Sequence, residues 1–191
     1  MNKSKFAAFL VSLAGLVAGP ALADNTGLYL GGAVGNSSSK ESACVIPDMA
    51  CNRKDTSYTG TLGIMFTPNW GIEAGYHDFG RVFEQDNMNG TSASAKTRAG
   101  SLVLVGAFPI QSVSLYGKFG GYRAKTDLTS TVLTEGSSKN NQWTYGAGIR
   151  WDVFKHLALR AEWSRFQNVG GGAVGFRSDI DTYTGGVLLT F

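Results

Sequence analysis

Few side chains in this 191-residue chain are equipped for covalent or metal chemistry. Two cysteines, Cys44 and Cys51, stand in a C-x6-C spacing, and two histidines, His77 and His156, lie far from them and from each other. Metal centres draw their ligands from short, repeated Cys/His spacings. This set has none, so neither a metal nor a cofactor is expected. A Ser/His hydrolase needs the two side chains in contact and an acid to orient the imidazole. Asp78 follows His77, but no Ser lies two residues from either histidine. The chain is therefore read as a non-enzyme. The remaining polar chemistry is ionic. Glu73, Lys118, Arg150, Arg160 and Glu162 fall inside segments that are otherwise poor in charge, and what they do depends on the elements that hold them.

Composition narrows those elements. Glycine supplies 26 of the residues, charged residues only 16%, and aromatics 12%. Ordinary soluble domains carry about 25% charge and about 7% glycine. Residues 1–23 read as a secretory signal peptide. Lys3 and Lys5 open it, an apolar run spans Phe6 to Val17, Gly19-Pro20 breaks it, and Ala21-Leu22-Ala23 forms a small-x-small cleavage box. The competing reading, a transmembrane anchor, needs a run long enough for about 30 Å of hydrocarbon, and this one is too short. The expected mature domain is 24–191. Without Lys3 and Lys5 the net charge falls from +3 to +1, and no basic patch with interleaved aromatics points to nucleic acid. Export to an oxidising compartment favours a Cys44–Cys51 disulfide over two free thiols, stabilising by about 2–3 kcal/mol in the chain-entropy model.

After residue 23 the recurring pattern is alternation with period two. It marks eight segments: Gly27–Asn36, Tyr58–Phe66, Trp70–Phe79, Ala99–Phe108, Val113–Ala124, Gln142–Trp151, Leu157–Phe166 and Ile180–Phe191. In the sixth, Trp143, Tyr145, Ala147, Ile149 and Trp151 oppose Thr144, Gly146, Gly148 and Arg150. The segment from Ser101 to Phe108 is apolar on both faces, which leaves its sidedness open. Connections alternate between short turns and long polar stretches, and all four prolines are placed outside the strands. Strands of this length joined in this way predict an all-β, eight-stranded antiparallel up-and-down transmembrane barrel with both termini in the periplasm. A soluble barrel such as a lipocalin would hide its apolar face. Here one face carries Leu, Ile and Val flanked by aromatics, with Tyr58, Phe66, Phe108, Trp143, Trp151, Trp163 and Tyr183 as the lipid-interface residues. The other face is mostly Gly, Ala, Thr and Ser, too small to fill a dry core.

On that small-residue face lie Glu73, Lys118, Arg150, Arg160 and Glu162, all near the turn-side ends of their strands. The interior of an eight-stranded barrel is only wide enough for side chains, so buried charges there must pair. An internal salt-bridge network is expected, with Asp152 at its rim. It reads as a static plug, with a partner-swapping gate as the other reading. His77 reads as an inward polar filler.

Three stretches carry a family likeness: WGIEAGYHDFG from Trp70 to Gly80, SLYGKFGGYRAKTD from Ser114 to Asp127, and YGAGIRWDVFKHLALRAEWSRF from Tyr145 to Phe166. They resemble strands of the transmembrane domain of outer membrane protein A and its small relatives. The resemblance implies that Glu73, Arg160 and Glu162 line the lumen and that Lys118 occupies a basic position. Arg150 departs from an acidic residue of the archetype, and Val105 stands where the archetype has Lys. It further implies that the chain lacks the family's periplasmic peptidoglycan-binding domain, and that Phe191 resembles the terminal signal read by the barrel-assembly machinery.

The expected role is that of a monomeric barrel in the bacterial outer membrane, structural or surface-interacting, with its lumen plugged. A small ion or water pore is the alternative, and a lipid A-modifying enzyme ranks below both. The expected partners are outer-membrane lipids, lipopolysaccharide and the assembly machinery, with an unidentified ligand on the extracellular loops. Candidate lipopolysaccharide contacts are Arg81, Lys96, Arg98 and Arg123.

Overall fold

The computed structural model describes residues 26–39, 54–86, 92–130, 136–170 and 177–191. Residues 1–23 and both cysteines lie outside them, and so do the expectations attached to those residues. Eight strands run in chain order: β1 Gly27–Ser39, β2 Lys54–Met65, β3 Trp70–Asp86, β4 Ser92–Ile110, β5 Val113–Ser130, β6 Gly136–Phe154, β7 Leu157–Gly170 and β8 Arg177–Thr190. Each pairs antiparallel with its neighbours, and β1 pairs with β8 from Tyr29↔Thr190 to Ser39↔Ile180, closing the barrel. Closure removes the strand edges around the body of the barrel, so the ladder there satisfies the backbone without help from solvent.

The turns sit at one end. Gln111-Ser112 and Lys155-His156 are two-residue connections, and Phe66 to Asn69 makes the third. Gln111 adopts φ 56°, the left-handed geometry that a tight hairpin turn needs. β4 runs through Pro109, which the sequence reading placed in a turn. Pro109 pairs only with Ser114, because β3 ends against β4 at Trp70↔Gly106. Ala107 N–H donates across to the Asn69 carbonyl at 2.7 Å. Two residues on, Pro109 faces that same side beyond the end of β3, where a missing donor breaks no ladder bond.

At the other end the strands outrun the sequence expectation. The stretches 80–98 and 125–141, read as loops, instead continue the pairing to Asp86↔Ser92 and Leu128↔Gly136, and β4–β5 pairs out to Ala93↔Ser130. These extensions are rich in Ser, Thr and Asn and lack apolar alternation, because neither face has an oily medium to meet. Four strands, β3 to β6, therefore stand as a taller wall.

Alternation sets the two faces. In β4, Leu102, Leu104 and Phe108 point outward and Val103 and Val105 inward, which settles the strand that is apolar on both sides. The interior departs from the expected small-residue face. Tyr29, Met65, Val103, Val105, Tyr116, Ala158 and Leu188 pack together at the turn end, and Phe79, Ala99, Tyr122, Ala124, Phe166, Val169 and Ile180 at the far end. Small residues make this possible. A Cβ on Gly63 would run into the Tyr29 ring, and one on Gly148 into the ring and hydroxyl of Tyr116. The glycines clear space that large inward side chains from other strands occupy.

Candidate functional site

Between the two apolar layers lies an ionic one. β3 contributes Glu73, β5 Lys118, and β7 both Arg160 and Glu162. Each has a glycine opposite it on an adjacent strand: Gly63 for Glu73, Gly146 for Lys118, Gly186 for Arg160 and Gly148 for Glu162. The long side chains thus extend across the lumen rather than along the wall. Lys118 Nζ lies 2.9 Å from Glu73 Oε1 and 2.7 Å from Glu162 Oε1. Arg160 donates through Nη1 to Glu73 Oε2 at 2.6 Å and through Nη2 to Glu73 Oε1 at 3.2 Å, and Nη2 also pairs with Glu162 Oε2. Both cations therefore hold both carboxylates, in a closed and electrically balanced square.

Two tyrosines complete it. Tyr29 donates to Glu73 Oε2 and Tyr116 to Glu162 Oε2, each at 2.9 Å, and Arg160 Nε donates to the Tyr116 hydroxyl at 2.6 Å. Ser164 Oγ adds a bond to Glu162 Oε1 at 2.6 Å. All four charged side chains are between 2% and 8% exposed. Burial of charge is tolerable only with such saturation. Parity alone did not single out Tyr29 and Tyr116, because their contacts are made across the lumen to strands they do not pair with. Each nonetheless lies on the inward parity, Tyr29 two residues before Gly31 and Tyr116 two before Lys118, and that was the available signal.

Arg150 stands apart from the square. Its Nη2 pairs with Asp152 Oδ1 at 2.7 Å and its Nε with the same oxygen at 2.8 Å. It sits toward the mouth at the turn end, where Asp152, two residues along the same strand, outcompetes carboxylates deeper in the lumen. Toward the far end, His77 is buried, with Thr59 Oγ1 3.2 Å from Nδ1 and Ser101 Oγ 2.9 Å from Nε2. Linear spacing could not show this Ser–His contact, since it forms diagonally across the β3–β4 ladder. Phe166 meets His77, Phe79 and Tyr122 edge-on at centroid distances of 4.9, 4.8 and 5.2 Å. These rings pack together inside the barrel, on the far side of the ionic square.

The outward residues fall where the fold directs them. Phe66, Phe108 and Trp151 are exposed near the turn end, and Tyr58, Trp143 and Tyr183 toward the far end. Trp70, Tyr76, Phe119 and Phe154 share this exposure, although the sequence reading did not select them as interface residues. Trp163 is half-buried, under Arg165 at 5.5 Å and edge-on to Tyr145 at 5.9 Å. Phe191 is exposed, and its N–H donates to the Leu28 carbonyl at 2.9 Å. Lys96 and Arg98 reach Asp78 Oδ2 at 3.3 and 3.4 Å. Arg81 pairs with Lys96 in the ladder, and its side chain lies outside the described set. Arg123 is outward on β5, opposite Gly100 and Asn141.

Residues 8–191 match the family model described as outer membrane protein beta-barrel domain. Outer membrane protein A of Klebsiella pneumoniae is 26% identical over 147 residues, which is 73% of this chain and 42% of that protein. The chain thus spans under half the length of this curated relative. Among solved structures, Neisserial surface protein A is similar with a TM-score of 0.65 at 12% identity, covering 87% of this chain and 98% of that one. OprG from Pseudomonas aeruginosa gives 0.58 at 15% identity, covering 90% and 99%. Ail, the attachment invasion locus protein of Yersinia pestis, gives 0.56 at 16% identity, covering 87% and 99%.

Proposed function

We propose a role for this chain from the fact that it belongs to the outer membrane protein beta-barrel domain family: it is a sealed structural barrel of the bacterial cell envelope that presents its polar end as an interaction surface. One observation carries this reading. Lys118 and Arg160 each hold both Glu73 and Glu162 across the lumen, and a separate layer of rings, with Phe79 and Phe166 at its centre, lies above them. Two unlike barriers in series suit a scaffold better than a conduit. The apolar outer face with aromatics at both ends supports a transmembrane setting. Export by residues 1–23 and a Cys44–Cys51 staple between β1 and β2 belong to the same reading.

A pore is the second reading, favoured by a cup at the turn end. Tyr29, Met65, Ser114, Tyr116 and Arg150 line it, and it reaches Glu73 and Arg160. We assign no catalytic role to Ser101 and His77, because both sit between the two barriers with Thr59, not an acid, at Nδ1. Reconstitution of the wild-type barrel in planar bilayers separates scaffold from pore. The scaffold reading expects insertion without discrete conductance steps, and regular steps would establish the pore.

A further inference from the structure

We propose that the outward face of β4–β6, at the foot of the tall wall, holds one phosphorylated, multiply acylated lipid of the outer leaflet, the lipid A anchor of lipopolysaccharide. The inference rests on the membrane reading above and adds a specific occupant at a specific place. Register brings Arg98, Lys125 and Lys139 into one row across three neighbouring strands, with about 5 Å between strands. Arg123 lies two residues nearer the middle of the barrel and Lys96 two residues beyond the row, both also outward. Lys125 already has a partner of its own, and acidic groups offset the other cations only in part. Asp78 takes Lys96 and Arg98 at 3.3 and 3.4 Å, and Asp127 stands opposite Lys96 in register. On the adjoining β7–β8 pair, Arg165 is matched by Asp181 at 2.6 and 2.9 Å. Among the described residues, the outward cation excess is gathered on this wall.

Directly below the row the surface is notched. A Cβ on Gly100 would meet nothing within 4 Å, and one on Gly121 only the Gln142 carbonyl at 4.0 Å. The resulting groove runs past Leu102 and Trp143 on its apolar side and Arg123 and Asn141 on its polar side. Trp143 stacks on Phe119, at 5.4 Å between centroids and 9° between planes. Cations therefore sit at the headgroup end of a trough as wide as the missing side chains, with hydrophobic walls toward the bilayer. Guanidinium groups bind phosphate through paired N–H donors, and the notch accepts an acyl chain against backbone. The charge of the row and the apolar trough beneath it together call for an anionic lipid.

The test uses the full chain extracted from membranes in mild detergent, with bisphosphorylated hexa-acyl lipid A and phosphatidylglycerol as probes and native mass spectrometry as the readout. The wild type is expected to retain one lipid A per barrel in preference to phosphatidylglycerol. The Arg98→Gln/Arg123→Gln/Lys139→Gln variant removes three surface charges and should weaken retention on the order of 100-fold. Gly121→Leu leaves every cation in place and fills the trough, so it should also lose the lipid. Gly100→Leu does the same from the neighbouring strand and serves if Gly121→Leu fails to fold. Equal retention by the wild type and the triple variant, by the wild type and the filled-trough variant, or of the two lipids would overturn the proposal. Failure of the membrane reading would appear earlier, as a wild-type barrel that does not insert into bilayers at all.

Discussion

Arg160 holds two carboxylates and a tyrosine at once, and this decides what its loss would do. Arg160→Ala leaves Lys118 alone with two buried acids. Removing one partner from a buried ionic cluster costs about 3–5 kcal/mol, because the charge left behind stays desolvated. Tyr116→Phe removes one bond to Glu162 and one from Arg160 while the ring stays, so about 1–3 kcal/mol is expected. Urea unfolding of the barrel in lipid vesicles measures both. A loss as large for Tyr116→Phe as for Arg160→Ala would contradict the ranking. The sequence exposed Glu73, Arg160 and Glu162 as inward charges because alternation reports a residue's face. It did not expose Tyr29, Tyr116 or the Ser101–His77 contact, because those depend on which strands face one another across the lumen. Arg150 shows the same limit: its parity is inward, but its depth and the nearby Asp152 set its partner.

At the scale of the elements, glycine placement sets the packing of the interior and strand extension sets the height of the wall. Gly148→Ala would force a methyl into Tyr116, and overpacking of this kind costs about 1–3 kcal/mol. Gly32→Ala makes a sharp control, since a Cβ there meets nothing within 4 Å. Thermal unfolding should separate the two, and equal midpoints would refute the tight interior. The extended hairpins give a second expectation. Amides paired from Lys96↔Asp127 to Ala93↔Ser130 should exchange slowly with deuterated solvent, as ladder amides do. Exchange as fast as an open loop would restore the sequence reading of 80–98 and 125–141. That reading fell short for a physical reason. Apolar alternation reports a strand only where one face meets oil, and Ser/Thr-rich pairing in water carries no such mark. The eight segments bearing the mark all emerged as strands, with the ends away from the short turns falling short of the true ones.

The whole molecule is layered along its axis. An apolar layer lies at the turn end, then the ionic square, then the ring layer at the far end, all within an apolar outer surface. The proposed barriers in series have a consequence that a single gate lacks: loosening the ionic square leaves the rings in place. Single-channel recording of folded Arg160→Ala and Glu73→Ala barrels, beside the wild type, tests the sealed lumen most directly. All three are expected to insert without conductance steps, the variants differing only in stability. Discrete, reproducible openings in either variant, with a silent wild type, would contradict this by showing that the ionic square alone closes the path.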